Sequence, residues 1–127
     1  MLRYVRPVCF VLSLVFLLGV ACGGDSDSSA TPTANLEIRA QNLKFNQKRL
    51  TALANTTVTI RFDNRDSGTP HNVAVYTNRS AQEKVFVGET FSGSDARQYQ
   101  FQTPAAGDYF FRCDTHPDTM SGTFAVR

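Results

Sequence analysis

Cys113, His116 and Met120 fall within the eight residues CDTHPDTM. Elsewhere the chain is sparing with all three types: the other histidine is His71, the other methionine is Met1, and the other cysteines are Cys9 and Cys22. Every histidine, and every cysteine and methionine downstream of residue 22, therefore belongs to one arrangement: a distant His, then Cys-x2-His-x3-Met. Independent placement would rarely do this.

Two imidazoles and a thiolate with a weak, long axial thioether form the ligand set of a type 1 copper centre. The thiolate donates strongly to both Cu(II) and Cu(I). The imidazoles tolerate both ions, and the soft thioether favours Cu(I). A site between the two ions' preferred geometries changes little when an electron enters or leaves, so exchange is fast. On this reading His71, Cys113, His116 and Met120 hold one copper ion cycling between Cu(I) and Cu(II).

Each residue also has a plainer role when taken singly. His71 could be a hydrogen-bonded residue at a strand end, Met120 could fill the core, and Cys113 could be a small buried hydrophobe. Zinc suits the set less well, because thioether is a poor zinc ligand. A Cys113–His116 nucleophilic dyad would leave His71 and Met120 without a role. A trinuclear oxidase cluster would need many more histidines. The expectation is a protein that is not an enzyme, an electron carrier between redox partner proteins. Copper storage or delivery is the alternative.

The elements that position these residues begin after an export segment. Arg3 and Arg6 precede an apolar run, Val8–Ala21, of about the length of a signal-peptide core and short for a membrane span. The run ends in LLGVAC, which resembles a bacterial lipobox. Residues 1–21 read as a signal peptide, with Cys22 lipidated and anchoring the chain to the membrane. Residues 22–34 are a Gly-, Ser-, Asp- and Thr-rich tether that has too little apolar surface to order itself. Its coil reach is about 20 Å. The domain then spans residues 35–127. The chain is expected to be exported and lipid-anchored, at the outer face of the bacterial cytoplasmic membrane or in the periplasm.

Charge excludes one class of partner. The chain carries 13 basic and 11 acidic residues. That balance provides no basic field for nucleic acid. Cys113 stands alone in an exported domain, where an unpaired cysteine needs an explanation. Metal ligation would supply one.

Within the domain, period-two alternation recurs between turn-rich stretches. Leu36, Ile38 and Ala40 share a face. Val58, Ile60 and Phe62 oppose Thr57, Thr59 and Arg61. Tyr99 and Phe101 oppose Gln98, Gln100 and Gln102. Tyr109, Phe111 and Cys113 share a face, and the chain closes with Phe124 and Val126. DNRDSGTP, SGSDA and TPAAGD separate the runs as turns. FNQKRLTALANTT is assigned only as strand and loop. The pattern predicts an all-β Greek-key β-sandwich. His71 shares a face with Val73 and Val75, so it and Cys113 point inward from strand ends, with His116 and Met120 on the loop between.

At TPHNVAVY and GDYFFRCDTHPDTMSGTFAV the chain resembles the cupredoxins, the family of plastocyanins, azurins and amicyanins. The resemblance spans residues 35–127. It implies a monomeric β-sandwich with copper on His71, Cys113, His116 and Met120. It also implies that Asn72 hydrogen-bonds across to the ligand loop, and that Pro70 and Pro117 form part of an apolar rim. His116, with Pro117 behind it, would be the electron port. The Cys-to-His gap matches plastocyanin and the His-to-Met gap matches azurin. Arg112 stands where plastocyanins carry a tyrosine. Asp114 and Asp118 flank His116, which predicts a less apolar rim and a basic partner surface.

Overall fold

A computed structural model describes residues 33–127. The expected signal segment (1–21), Cys22 and the expected tether through residue 32 lie outside the described residues.

The alternating segments fold as strands. In β3 (Thr57–Asn64) the inward set Val58, Ile60 and Phe62 is fully buried, and Arg61 is exposed. β3 lies in the middle of a three-stranded sheet. β1 (Thr33–Ala40) runs parallel to it on one side, and β8 (Asp95–Gln102) antiparallel on the other. β1 thus begins two residues before position 35.

Facing this sheet is a five-stranded one. Its order is β2 (Arg49–Ala52), β10 (Ser121–Val126), β9 (Gly107–Arg112), β5 (Ala74–Tyr76) and β6 (Lys84–Val87). Two short strands, β4 (Pro70–His71) and β7 (Phe91–Ser92), form a ladder of their own. The chain enters the second sheet at β2, returns for β3, leaves again for β5 and β6, returns for β8, and ends in β9 and β10. The described residues contain no helix, and the architecture is a Greek-key β-sandwich.

Between the sheets, Phe62 meets Phe91 at 5.4 Å and Phe45 at 6.1 Å between ring centroids. Ile38, Ile60, Val75, Phe111, Phe124 and Val126 complete this core. Each such side chain contributes about 1.5–3 kcal/mol by leaving water. Cys113 and Met120 belong to the same buried cluster.

Alternation weakens in the middle of the larger sheet. β5 is buried at all three positions, and Phe124–Val126 are buried in succession. Arginines cover part of the outer face: the Arg79 guanidinium lies 5.0 Å from the Phe110 ring, and that of Arg112 lies 4.8 Å from Tyr76. The expected strand HNVAVY is also interrupted. His71 pairs with Phe91 in one ladder, while Val75 pairs with Phe86 and Phe111 in another. His71, Val73 and Val75 are nonetheless all buried. Residues 45–57, assigned only as strand and loop, contain a bridge at Phe45, then β2, and end on the first residue of β3.

One end of the sandwich collects the ends of β3 and β9, the start of β10 and the β4–β7 ladder. All four candidate ligands lie there.

Candidate metal centre

Each candidate ligand has its own support. His71 sits on β4, Cys113 immediately follows β9, and Met120 immediately precedes β10. The loop from 113 to 120 is closed on itself. The Cys113 N–H donates to the Met120 carbonyl at 2.8 Å, and the Met120 N–H to the His116 carbonyl at 3.1 Å. His71, Cys113 and Met120 are fully buried, and His116 is half-buried.

Three donor atoms converge. His71 Nδ1 lies 3.1 Å from His116 Nδ1. Cys113 Sγ lies 3.6 Å from the first nitrogen and 3.9 Å from the second. With metal–nitrogen bonds of about 2.0–2.1 Å and metal–sulfur bonds of about 2.3 Å, two nitrogens on one ion lie at most about 4 Å apart and a nitrogen–sulfur pair at most about 4.4 Å. All three separations fit a single ion.

Protonation points the same way. His71 Nε2 lies 3.0 Å from Asp66 Oδ2. An ionised carboxylate can only accept, so Nε2 carries a proton, and in the neutral tautomer this leaves Nδ1 as a bare lone pair. Thr115 Oγ1 donates to the Pro70 carbonyl at 2.8 Å, and also lies 3.0 Å from both Cys113 Sγ and His116 Nδ1. Its one proton can go to the Pro70 carbonyl, which leaves its lone pairs free to accept from the Cys113 thiol. Two imidazole nitrogens and a thiol sulfur crowd one point, a donor set suited to a soft or borderline cation.

Asn72 ties the two ligand segments together. Its Oδ1 accepts the Asp114 N–H at 2.8 Å, and its Nδ2 donates to the Gly88 carbonyl at 3.1 Å and to Asp114 Oδ2 at 3.2 Å. This is the bridge to the ligand loop that the family resemblance implied.

The sequence profile of the cupredoxin-like domain matches residues 10–126. This chain belongs to the cupredoxin-like family. Among solved structures, it is similar to auracyanin A, a "blue" copper protein from the green thermophilic photosynthetic bacterium Chloroflexus aurantiacus. The two are 24% identical over 76% of this chain and 100% of that one, with a TM-score of 0.67. Dithionite-reduced auracyanin from Roseiflexus castenholzii is 20% identical over 74% and 97%, with a TM-score of 0.68. Amicyanin from Paracoccus versutus is 27% identical over 78% and 87%, with a TM-score of 0.54. No curated protein matches significantly.

In this cupredoxin the mouth of the site is formed by Leu43, Thr115, His116, Pro117, Asp118 and Thr119. Pro117 and Asp118 are exposed there, as expected. Asp114 departs from expectation. It turns back from the rim, accepting from Tyr76 Oη at 2.8 Å and pairing with Arg112 Nε at 2.8 Å. Burial works to raise its pKa, but hydrogen bonds from Tyr76, Arg112 and Asn72 hold it below the usual carboxylate value. Arg112 neutralises it, so of the two acids only Asp118 offers the rim an open charge. Pro70 is exposed and touches the ligand loop through its carbonyl.

Asp66, Asn64, Thr115 and Leu43 were missed from sequence. Asn64 is fully buried and staples the loop that carries Asp66: its Nδ2 donates to the Thr69 and Phe91 carbonyls, both at 2.9 Å, and its Oδ1 accepts the Asp66 N–H at 3.0 Å. Asp66 and Asn64 read as ordinary turn residues in DNRDSGTP. An Asp five residues before a ligand histidine was the available signal.

Proposed function

We propose that this cupredoxin binds one copper ion through His71 Nδ1, Cys113 Sγ and His116 Nδ1, with Met120 as the weak axial ligand, and carries single electrons between redox partner proteins. The observation that carries the reading is the convergence of two imidazole nitrogens and one thiol sulfur on a single buried point. Copper supplies one-electron exchange between Cu(II) and Cu(I) when bound. The chain's own residues make that exchange fast. Burial of His71, Cys113 and Met120 keeps water off the donors. The Asn72–Asp114 bridge and the Cys113–Met120 hydrogen bond keep the loop from rearranging as the charge changes. His116 is the ligand with an open edge, so it is the electron port, with Pro117 and Leu43 beside it for partner contact. Auracyanin A, whose fold this chain shares, is a "blue" copper protein, which agrees with the reading.

The rest of the proposal comes from the N-terminal sequence. The chain is exported, cleaved before Cys22 and held by a lipid on that cysteine, and the monomeric domain pivots on its tether at the outer face of the cytoplasmic membrane.

Voltammetry of the copper-loaded protein, paired with a chelator challenge, tests the electron-carrier role. A reversible one-electron couple with slow copper loss is expected. An irreversible couple with copper passing readily to the chelator would favour delivery and overturn electron transfer.

A further inference from the structure

We propose that Asp66 is a positioning residue for the metal centre. Its carboxylate fixes His71 in the tautomer that turns Nδ1 toward the metal, and it lowers the reduction potential through that ring. The inference rests on the copper reading above and extends it to a residue outside the ligand set.

The His71 side chain is fully buried and that of Asp66 is 12% exposed, with 3.0 Å between Nε2 and Oδ2. A hydrogen bond to an ionised partner away from bulk water is among the strong ones. Donating Nε2–H to a carboxylate pushes electron density onto the opposite nitrogen and makes it the more basic ligand. A more basic imidazole and a nearby negative charge both favour Cu(II) over Cu(I), so both lower the potential.

The carboxylate is itself held in place. The Asn42 N–H donates to Oδ1 at 2.6 Å, and the Leu43 N–H to Oδ2 at 3.0 Å. Both amides can point at one carboxylate because both residues are left-handed, with φ of 54° and 57°. They are the central pair of a two-residue turn closed by reciprocal Gln41 and Lys44 backbone bonds at 2.9 and 3.2 Å. Glycine and asparagine are the residues such a turn prefers, and leucine is strained in it. Strain kept beside a ligand's partner marks a place where local preference yields to the site. Burial works to raise the Asp66 pKa, yet the Leu43 and Asn42 amides, with His71, leave it below the usual value. The turn after β1 thus reaches the metal centre through Asp66.

The test compares copper-loaded wild type, Asp66→Asn and Asp63→Asn. The last makes the same charge change, but at a carboxylate paired with Arg65 and Arg39 instead of His71. Asp66→Asn should raise the potential by the equivalent of about a tenfold loss of preference for Cu(II), about 59 mV for one electron. Asp63→Asn should move it far less. A second readout needs no metal: long-range nitrogen–proton NMR of metal-free wild type should find the His71 proton on Nε2. The proposal falls if Asp66→Asn shifts the potential no more than Asp63→Asn does, or if metal-free His71 carries its proton on Nδ1. A wild type that takes up copper without visible colour would overturn the copper reading instead, and the NMR result would still decide the Asp66–His71 bond.

Discussion

Thr56 and Thr103, at the end of the sandwich away from the ligands, are buried like His71 and Asn72 at the other end. Their hydrogen bonds close among themselves. Thr103 Oγ1 accepts the Thr56 N–H at 2.9 Å and has the Leu53 carbonyl at 2.7 Å to donate to, while the Thr103 N–H meets the Thr56 carbonyl at 2.8 Å. One hydroxyl offers one proton and two lone pairs, and this corner uses them without outside help. At the ligand end, Asn64 and Asn72 are satisfied in the same way, but inside their frame two imidazole nitrogens and a thiol sulfur face one another at 3.1, 3.6 and 3.9 Å. Buried polarity that closes on itself holds a fold together. Buried polarity whose donor atoms converge on one point has room for a cation.

The sharpest way to break this comparison is Cys113→Ser. It should abolish the intense visible band of the copper-loaded protein, because that thiolate-to-copper charge transfer starts from the Cys113 sulfur. Circular dichroism should still show the β-sandwich, whose core does not depend on the metal. Unfolding after the change would mean that Cys113 serves packing first.

Gly122→Ala should come next, with a loss of about 1–3 kcal/mol in urea unfolding, as for an overpacked core. A Cβ there would run into the Lys48 carbonyl and come within 2.5 Å of the Phe111 ring. Neither neighbour is a flexible side-chain tip. Unchanged stability would show that β10 can move away from Lys48.

At the closed end, Thr103→Val removes the acceptor for a buried N–H, at a cost of about 1–3 kcal/mol. Colour and potential should not change, which makes this variant the mirror image of Cys113→Ser. A shifted potential would show that the two ends are coupled.

Met120→Leu should have the smallest effect on stability, under about 1.5 kcal/mol for a near volume-conserving change. Copper and colour should stay, and the potential should rise, because Cu(II) loses more than Cu(I) when a weak donor is removed. An unchanged potential would place the Met120 sulfur outside the metal's reach.

Much of the frame was legible in the sequence where one face of a strand meets the core and the other meets water, as in β3 with Val58, Ile60 and Phe62. It was less legible in β5 and β10. There both faces are covered, and Tyr76 and Ala125 are buried out of phase. The break between His71 and Val75 was hidden because it depends on pairing with Phe91, a distant partner. His71, Cys113 and His116 stood out by scarcity, and the structure brings their donor atoms together. Asp66 did not stand out, because an aspartate in a turn has a sufficient local reason to be there. Asp114 was misread as a rim charge, since its partners Tyr76 and Asn72 come from β5 and the segment just before it, remote in sequence.

The central claim is that one thiolate and two imidazoles hold one copper ion, and an optical titration of the metal-free protein with Cu(II) tests it most directly. The account predicts an intense visible thiolate-to-copper band that grows linearly and stops at one copper per chain. Copper binding without that band, or a band that keeps growing past one equivalent, would contradict it.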